Sequence, residues 1–530
     1  MIACESQSRS RRLTLRGWTS GILLSLAGML SSCMVGPNYK TPEAALDGRW
    51  LDASQIESQP AGKDAAWWRG FNDTSLNCLI DYAYENNLSL QSAGVRVLGA
   101  RANLNSTIGS LFPQQQGIGG NGTINKLDSG GGRGLTSGSN LRVGELLFSS
   151  TWEIDFWGKY RRAIEGETAA YFGSLAAYDN GIVTLVADVA SVYTNLRTLQ
   201  ARRVIALENV TTQKESLKIA ESRFKLGETG ELDVSQAKTV LAETQALVPQ
   251  YEMGIQQAKD ALGVLLGTTP GHINELIGSS SGIPSPPSKI AVGVPADLLR
   301  QRPDVRLAGL AAAAQSAGIG VVEANLYPSF SLSGTIGLRG SNISPLTAAE
   351  LFTWGDELAN ATGSFVMPIL NYGRITNQVR VQDAAFQQSV LAYQNTVLEA
   401  QREVNDAIVS LNKNKETYHY LREAVTAANK TTELALVKYR EGQTGFTTVL
   451  IATQSQIRLE ENATASRGDI TLAAISLYRA LGGGWPIRGD RDVVSDAIKE
   501  EMANRTNWGR LLEPSRHLPA RKTESNASPP

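Results

Sequence analysis

RFKLGETGELDV (residues 223–234) and KYREGQTGFTTV (residues 438–449) lie 215 positions apart and agree at Gly227/Gly442, Thr229/Thr444, Gly230/Gly445 and Val234/Val449. The same offset aligns SLFPQ with NLYPS (Pro113 with Pro328), FWGK with NYGR (Gly158 with Gly373), AAYD with LAYQ (Tyr178 with Tyr393), and ALGVLLG with SLYRALG. Agreements spread over so much chain at one spacing identify an internal duplication.

Each copy reads in the same order. In copy 1, residues 75–111 pattern as helix, and two strands follow within 112–157 around the Gly-rich DSGGGRGLTSG. A long helix after Gly158 then runs to a turn at residues 227–230, and a second helix returns to Leu266. Copy 2 repeats this with a helix, strands within 327–372, and a helix pair over 373–481 broken by the turn at 442–445. Ile182, Leu185, Val189, Val192, Leu196 and Leu199 recur at steps of three and four, the seam of a helix that pairs along its length. About 65 residues at 1.5 Å each give a helix of roughly 100 Å. The fold class is therefore α+β, mostly α, with repeats over 75–267 and 290–482, a linker at 268–289 and a C-terminal segment at 483–530 whose end, EPSRHLPARKTESNASPP, has the composition of a disordered tail.

The chain's beginning dictates where it works. Arg9, Arg11, Arg12 and Arg16 precede the apolar GILLSLAGML, a secretory signal too short to remain as an anchor. SRRLTLR at 10–16 also has the look of a twin-arginine signal, but barrel strands cross the inner membrane unfolded, which favours the general route. The run ends at Leu30-Ser31-Ser32-Cys33, a bacterial lipobox, so residues 1–32 are removed and Cys33 becomes the acylated first residue. Several acyl chains give lasting attachment where one binds only marginally. Met34, rather than Asp, at the next position fits outer-membrane sorting, and Pro37 and Pro42 keep the strap of segment 33–74 extended.

Beyond residues 21–30 no apolar run approaches the roughly 20 residues of a membrane helix, so a bilayer would be crossed by β-strands. Four strands are too few to close a barrel, since small ones need about eight, and the sequence therefore predicts an oligomer. With 50 Lys+Arg against 51 Asp+Glu there is no basic excess, and nucleic acid is not an expected partner.

Enzyme chemistry is not indicated. His272, His419 and His517 have no metal-ligand spacing and read as surface residues, and no metal or cofactor is expected. GIGGNG at 117–122 fits G-x-G-x-x-G but falls in a strand rather than at a strand-to-helix turn. RGD at 488–490 reads as a chance tripeptide in a polar segment, and Cys78, the one cysteine left after processing apart from Cys33, reads as a small buried residue.

CMVGPNYKTP at the mature N-terminus, EIDFWGKYRR, RFKLGETGELDVSQA, LLRQRPDVRLA and NLYPSFSLSG together resemble the TolC-like and OprM-like outer-membrane efflux proteins, in particular their NodT-type lipoprotein branch, from Cys33 to about Gly484. The resemblance implies a homotrimer whose chains each give four strands to one twelve-stranded outer-membrane barrel, continued by a periplasmic α-helical tunnel with a mixed equatorial domain. It further implies a periplasmic adaptor docking at the turns of Gly227, Thr229, Gly230, Gly442, Thr444 and Gly445, and an inner-membrane resistance-nodulation-division pump. The glycines permit the reversal, and the two threonines are expected to cap the returning helices. Candidate gate residues are Asp233, Tyr439, Thr448 and Ile451; Thr448 and Ile451 stand where relatives often carry aspartates, which argues against an acidic ring.

The function these expectations define is a passive exit channel for drugs or toxic small molecules, anchored in the outer membrane and extending into the periplasm. A type I protein-secretion duct is the alternative within the fold, disfavoured by the lipobox. A non-channel coiled-coil lipoprotein is the alternative outside it, disfavoured by the hairpins.

Overall fold

The computed structural model describes residues 34–46, 50, 66–126, 140–278, 282–288, 290, 301–341 and 357–513. Cys33, the signal sequence, the Gly-rich loop and the tail from residue 514, including His517, lie outside the described residues. Helices α1 (Thr74–Asn86) and α2 (Leu88–Gly109) lead to strands β1 (Gln115–Lys126) and β2 (Asn140–Ile154). Helices α3 (Lys159–Lys225), α4 (Glu231–Leu266) and the short α5 (Pro270–Ile277) follow. Then come α6 (Pro303–Glu323), β3 (Ser329–Ser341), β4 (Glu357–Val366), α7 (Arg374–Arg440), α8 (Phe446–Ala480) and α9 (Asp496–Arg505). The chain forms two compact units, one of Met1–Thr41, Ala100–Tyr171 and Leu310–Leu391, the other of Pro42–Gly99, Phe172–Gly309 and Ala392–Pro530.

The duplication is visible in the backbone. Gly158 and Gly373 have φ of 79° and 80°, Gly227 and Gly442 73° and 76°, and Gly267 and Gly482 65° and 71°, each pair 215 residues apart. A left-handed residue at these positions ends one helix or starts the next, a conformation glycine adopts without the Cβ penalty. Tertiary contacts repeat as well. Asn87 Nδ2 donates to the Leu265 carbonyl at 2.8 Å, and Arg302 Nη1 donates to the Ala480 carbonyl at 2.6 Å. Donor and acceptor both move by the same offset, so two different side chains satisfy the last carbonyls of the two returning helices.

Two expectations are corrected here, and a third observation bears on the membrane reading. The single helix over 75–111 is two, because Asn87 leaves the helical region and its Oδ1 accepts from the Leu90 amide at 2.8 Å, starting a new helix. Cys78 is exposed: α1 buries Ser75, Leu76, Leu79, Ile80 and Ala83, and Cys78 points about 130° away from the centre of that face at 100° per residue. Two helices, Lys159–Lys225 and Pro303–Leu326, are long and apolar enough by composition to cross a membrane. Their apolar residues are scattered among small and polar ones rather than gathered in one greasy run, and most of the α3 window is buried within the protein.

In the second unit Ile182, Leu185, Val189 and Leu196 of α3 are buried, while Val192 and Leu199 are half-buried at the edge of the seam. Trp67 stacks on Tyr478 at 4.8 Å between centroids. The RGD tripeptide is no free loop motif: Arg488 is buried and its Nε donates to the Asp179 carboxylate at 2.8 Å. Helix α9 packs Met502 with Leu98 and Val494, so the C-terminal segment is structured through residue 513.

Candidate functional site

The first unit carries a four-stranded antiparallel sheet in the order β1-β2-β3-β4. Its register pairs Phe148 with Ile336, Leu146 with Leu338, Trp152 with Leu332 and Phe330 with Phe365. Residues directly opposite share a face, so these side chains line one side. The alternate residues line the other, which is mostly polar: Glu145, Ser149, Thr151, Arg339, Thr335, Ser333, Asn360, Thr362 and Ser364, with Leu147 and Leu358 among them. On the apolar side Ile118, Phe148, Ile336 and Phe365 are exposed. An exposed apolar face backed by a polar one is the alternation of a membrane barrel, lipid outside and water within. Strands of 10–15 residues meet or exceed the roughly 9–11 that a tilted strand needs to cross a bilayer. Phe156, Trp157, Tyr327, Phe330 and Phe365 form a chain of ring contacts where the strands meet the helices, with spacings of 4.7 to 6.4 Å. Aromatic side chains collect where apolar and aqueous surroundings meet. GIGGNG lies within β1, and its glycines leave that edge open.

In the second unit the two helical turns come together. α3 and α7 end identically: the Gly227 amide donates to Phe224 O and Glu228 to Arg223 O, and Gly442 donates to Tyr439 O and Gln443 to Lys438 O, all between 2.8 and 3.0 Å. This double bond pattern around a left-handed glycine satisfies the carbonyls that end each long helix. The N-cap residues are Gly230 and Gly445, neither using a side chain, which corrects the capping role expected of the threonines. One residue too early to cap, Thr229 instead donates its hydroxyl to the Asp233 carboxylate, and Thr444 and Thr448 pair hydroxyls at 2.8 Å.

Between the turns the copies have diverged. Tyr439 is buried and its hydroxyl donates to Asp233 Oδ2 at 3.1 Å. Its counterpart in copy 1, Phe224, is exposed, and the counterpart of Asp233 is Thr448. Burial pushes the Tyr439 phenol up, with the Asp233 carboxylate adding to it, so the phenol stays a donor. Two partners of this pair were not legible as such. Arg223 stacks its guanidinium 4.7 Å from the Tyr439 ring centre and donates to the Tyr439 carbonyl, while Phe446 meets that ring edge-on at 5.3 Å. The available signal was a break in the duplication, since Arg223 faces Lys438 and Phe446 faces Glu231 at the common offset. Val234, Ala237, Ala435 and Val449 close an apolar cluster beneath. Ile451 is 64% exposed and joins none of this. Thus Asp233 and Tyr439 are brought together, Thr448 is held to its own turn, and Ile451 stands alone.

His272 and His419 are exposed and paired with Glu275 and Glu423. Among the described residues no three His, Cys, Asp or Glu side chains gather as metal ligands.

The family model described as outer membrane efflux protein matches residues 79–268 and 294–483. Nodulation protein T of Rhizobium leguminosarum bv. trifolii is 30% identical over 429 residues, 81% of this chain and 89% of its own length. The toluene efflux pump outer membrane protein TtgC of Pseudomonas putida is 27% identical, covering 87% of this chain and 96% of its own. Among solved structures the outer-membrane channel OprN superposes with a TM-score of 0.78 at 30% identity, spanning 86% of this chain and all of that one.

Proposed function

We propose that this chain, which belongs to the outer membrane efflux protein family, is the passive exit duct of a tripartite pump, receiving drugs or other toxic small molecules from an inner-membrane resistance-nodulation-division pump through a periplasmic adaptor. That it is an outer-membrane efflux channel follows from the family; the tripartite assembly, its partners and its cargo are our reading. The observation that carries the reading is the sheet: an exposed apolar face, a mostly polar face behind it, and β1 and β4 left as edges. Open edges in an apolar sheet demand pairing, and three chains of four strands supply a closed ring of twelve. We assign the acyl anchor to Cys33, the adaptor contact to the paired turns, and the periplasmic gate to the Asp233–Tyr439 region. No step needs a catalytic group. Transport is governed by the width of a water-filled lumen and the opening of its narrow end.

Purified protein in planar bilayers tests this. We expect a heat-modifiable trimer with discrete conductance, and a deletion strain sensitised to dyes, detergents and antibiotics. A trimer whose loss stops export of a polypeptide but leaves resistance intact supports the secretion duct. Absence of both trimer and conductance supports the non-channel lipoprotein.

A further inference from the structure

The segment that follows Cys33 is seated in a groove that breaks the duplication. Arg162, 1% exposed, donates Nε to Val35 O at 3.0 Å, and Nη2 to Gly36 O and Asn38 Oδ1, each at 2.9 Å, while Nη1 meets Glu165 at 2.7 Å. The Val35 amide donates to Trp157 O at 3.1 Å. The fit is close on every side. A Cβ on Gly36, whose φ is 91°, would stand 2.4 Å from Gly320 Cα. One on Gly320 would stand 2.7 Å from Val35 O, and one on Gly158 would stand 2.3 Å from Met34 Cγ.

A satisfied, buried arginine inside a repeat is ordinarily a core contact, and a core contact of the repeat would recur in both copies. This one does not. Gly158 recurs as Gly373, but Arg162 faces Asn377 and Gly320 faces Asn105 at the common offset. Only one of the two related sites is cut to receive a segment bent at Gly36, and the chain has only one N-terminus to place there.

We propose that Arg162 and Gly320 form a receptor groove that seats residues 35–38 by itself, so that the acyl chains which our reading of Cys33 supplies are held at the aromatic strand–helix junction rather than pulling the strap into place. Arg162 is thus a positioning residue for the modified terminus. Three charge-assisted bonds to one segment, two of them to backbone carbonyls and one to the Asn38 side chain, hold its main chain in place.

Hydrogen exchange of the segment 34–38 in the full-length protein, purified in detergent, tests the proposal. We expect it to be slow in the wild type and equally slow in Cys33→Ser made with a cleavable non-lipoprotein signal. In Arg162→Gln and Gly36→Ala it should rise at least about tenfold, with heat-modifiable trimer and conductance retained. Asn38→Ala, which removes one bond from the strap's own side, should give a smaller rise and serves if Arg162→Gln does not assemble. Wild-type exchange in Gly36→Ala and Asn38→Ala, or loss of protection in Cys33→Ser, overturns the groove. Mass spectrometry of the wild-type N-terminal peptide is a separate readout: an unacylated Cys33 removes the lipid reading and leaves the groove arms standing.

Discussion

The Tyr439 hydroxyl donates to the Asp233 carboxylate at 3.1 Å, joining the last turn of one long helix to the first turn of the helix that returns in the other copy. A hydrogen bond to a charged group is worth about 1.5–3 kcal/mol net. Tyr439→Phe removes it while keeping the contacts with Arg223 and Phe446. We expect larger single-channel conductance and higher uptake of bulky antibiotics in cells expressing the variant, with the trimer intact. Unchanged conductance removes the pair from the gate.

Buried tyrosines set an alkaline limit. Burial pushes Tyr193 up to about 12, against the opposing effect of Arg197, and pushes Tyr251 up to about 12 with help from its bond to Glu461. A phenol whose folded pKa exceeds its unfolded value near 10 binds its proton more tightly when folded. Its contribution is full below pH 10 and is lost as pH rises to 12. The thermal midpoint should fall across that window in step with tyrosinate absorbance, and Tyr251→Phe should flatten part of the fall.

The Asp179–Arg488 pair fastens the C-terminal segment to α3 inside the second unit. Removing one partner of a buried pair costs about 3–5 kcal/mol when the other charge is left uncompensated, and Arg306, 3.8 Å from Asp179, offsets only part of that loss here. Arg488→Met should therefore lower the thermal midpoint more than the double variant with Asp179→Leu does. A double variant no better than the single one would contradict this account.

Gly337 faces the β2 backbone so closely that a Cβ would stand 2.1 Å from Leu146 O. Gly337→Ala should push β3 off β2 and reduce the yield of heat-modifiable trimer. Gly117, with open space around it in β1, serves as the control: Gly117→Ala should assemble normally.

Cys78 sits on the exposed face of α1. We expect the native protein to react with a maleimide at about one thiol per chain without denaturant, and Cys78→Ser to abolish the labelling.

Much of the molecule is legible in one dimension. The duplication, the glycines that end the long helices and the alternation in the strands are local properties, because backbone angle and side-chain period depend on residues close in sequence. An offset of 215 therefore located both turns and both hairpins. The site was less legible. Asp233 and Tyr439 could be named, but that they meet, and that Arg223 and Phe446 enclose them, depends on two helix ends from different copies arriving side by side. Cys78 misled because composition says which residues tend to be buried, whereas the face of α1 that packs is chosen by its neighbours. The sequence by itself determined the repeat, the element types and the address of the chain. Tertiary structure alone decided which differences between the two copies matter, at Arg162, Gly320, Tyr439 and Arg223, because a difference between repeats acquires meaning only through what packs against it.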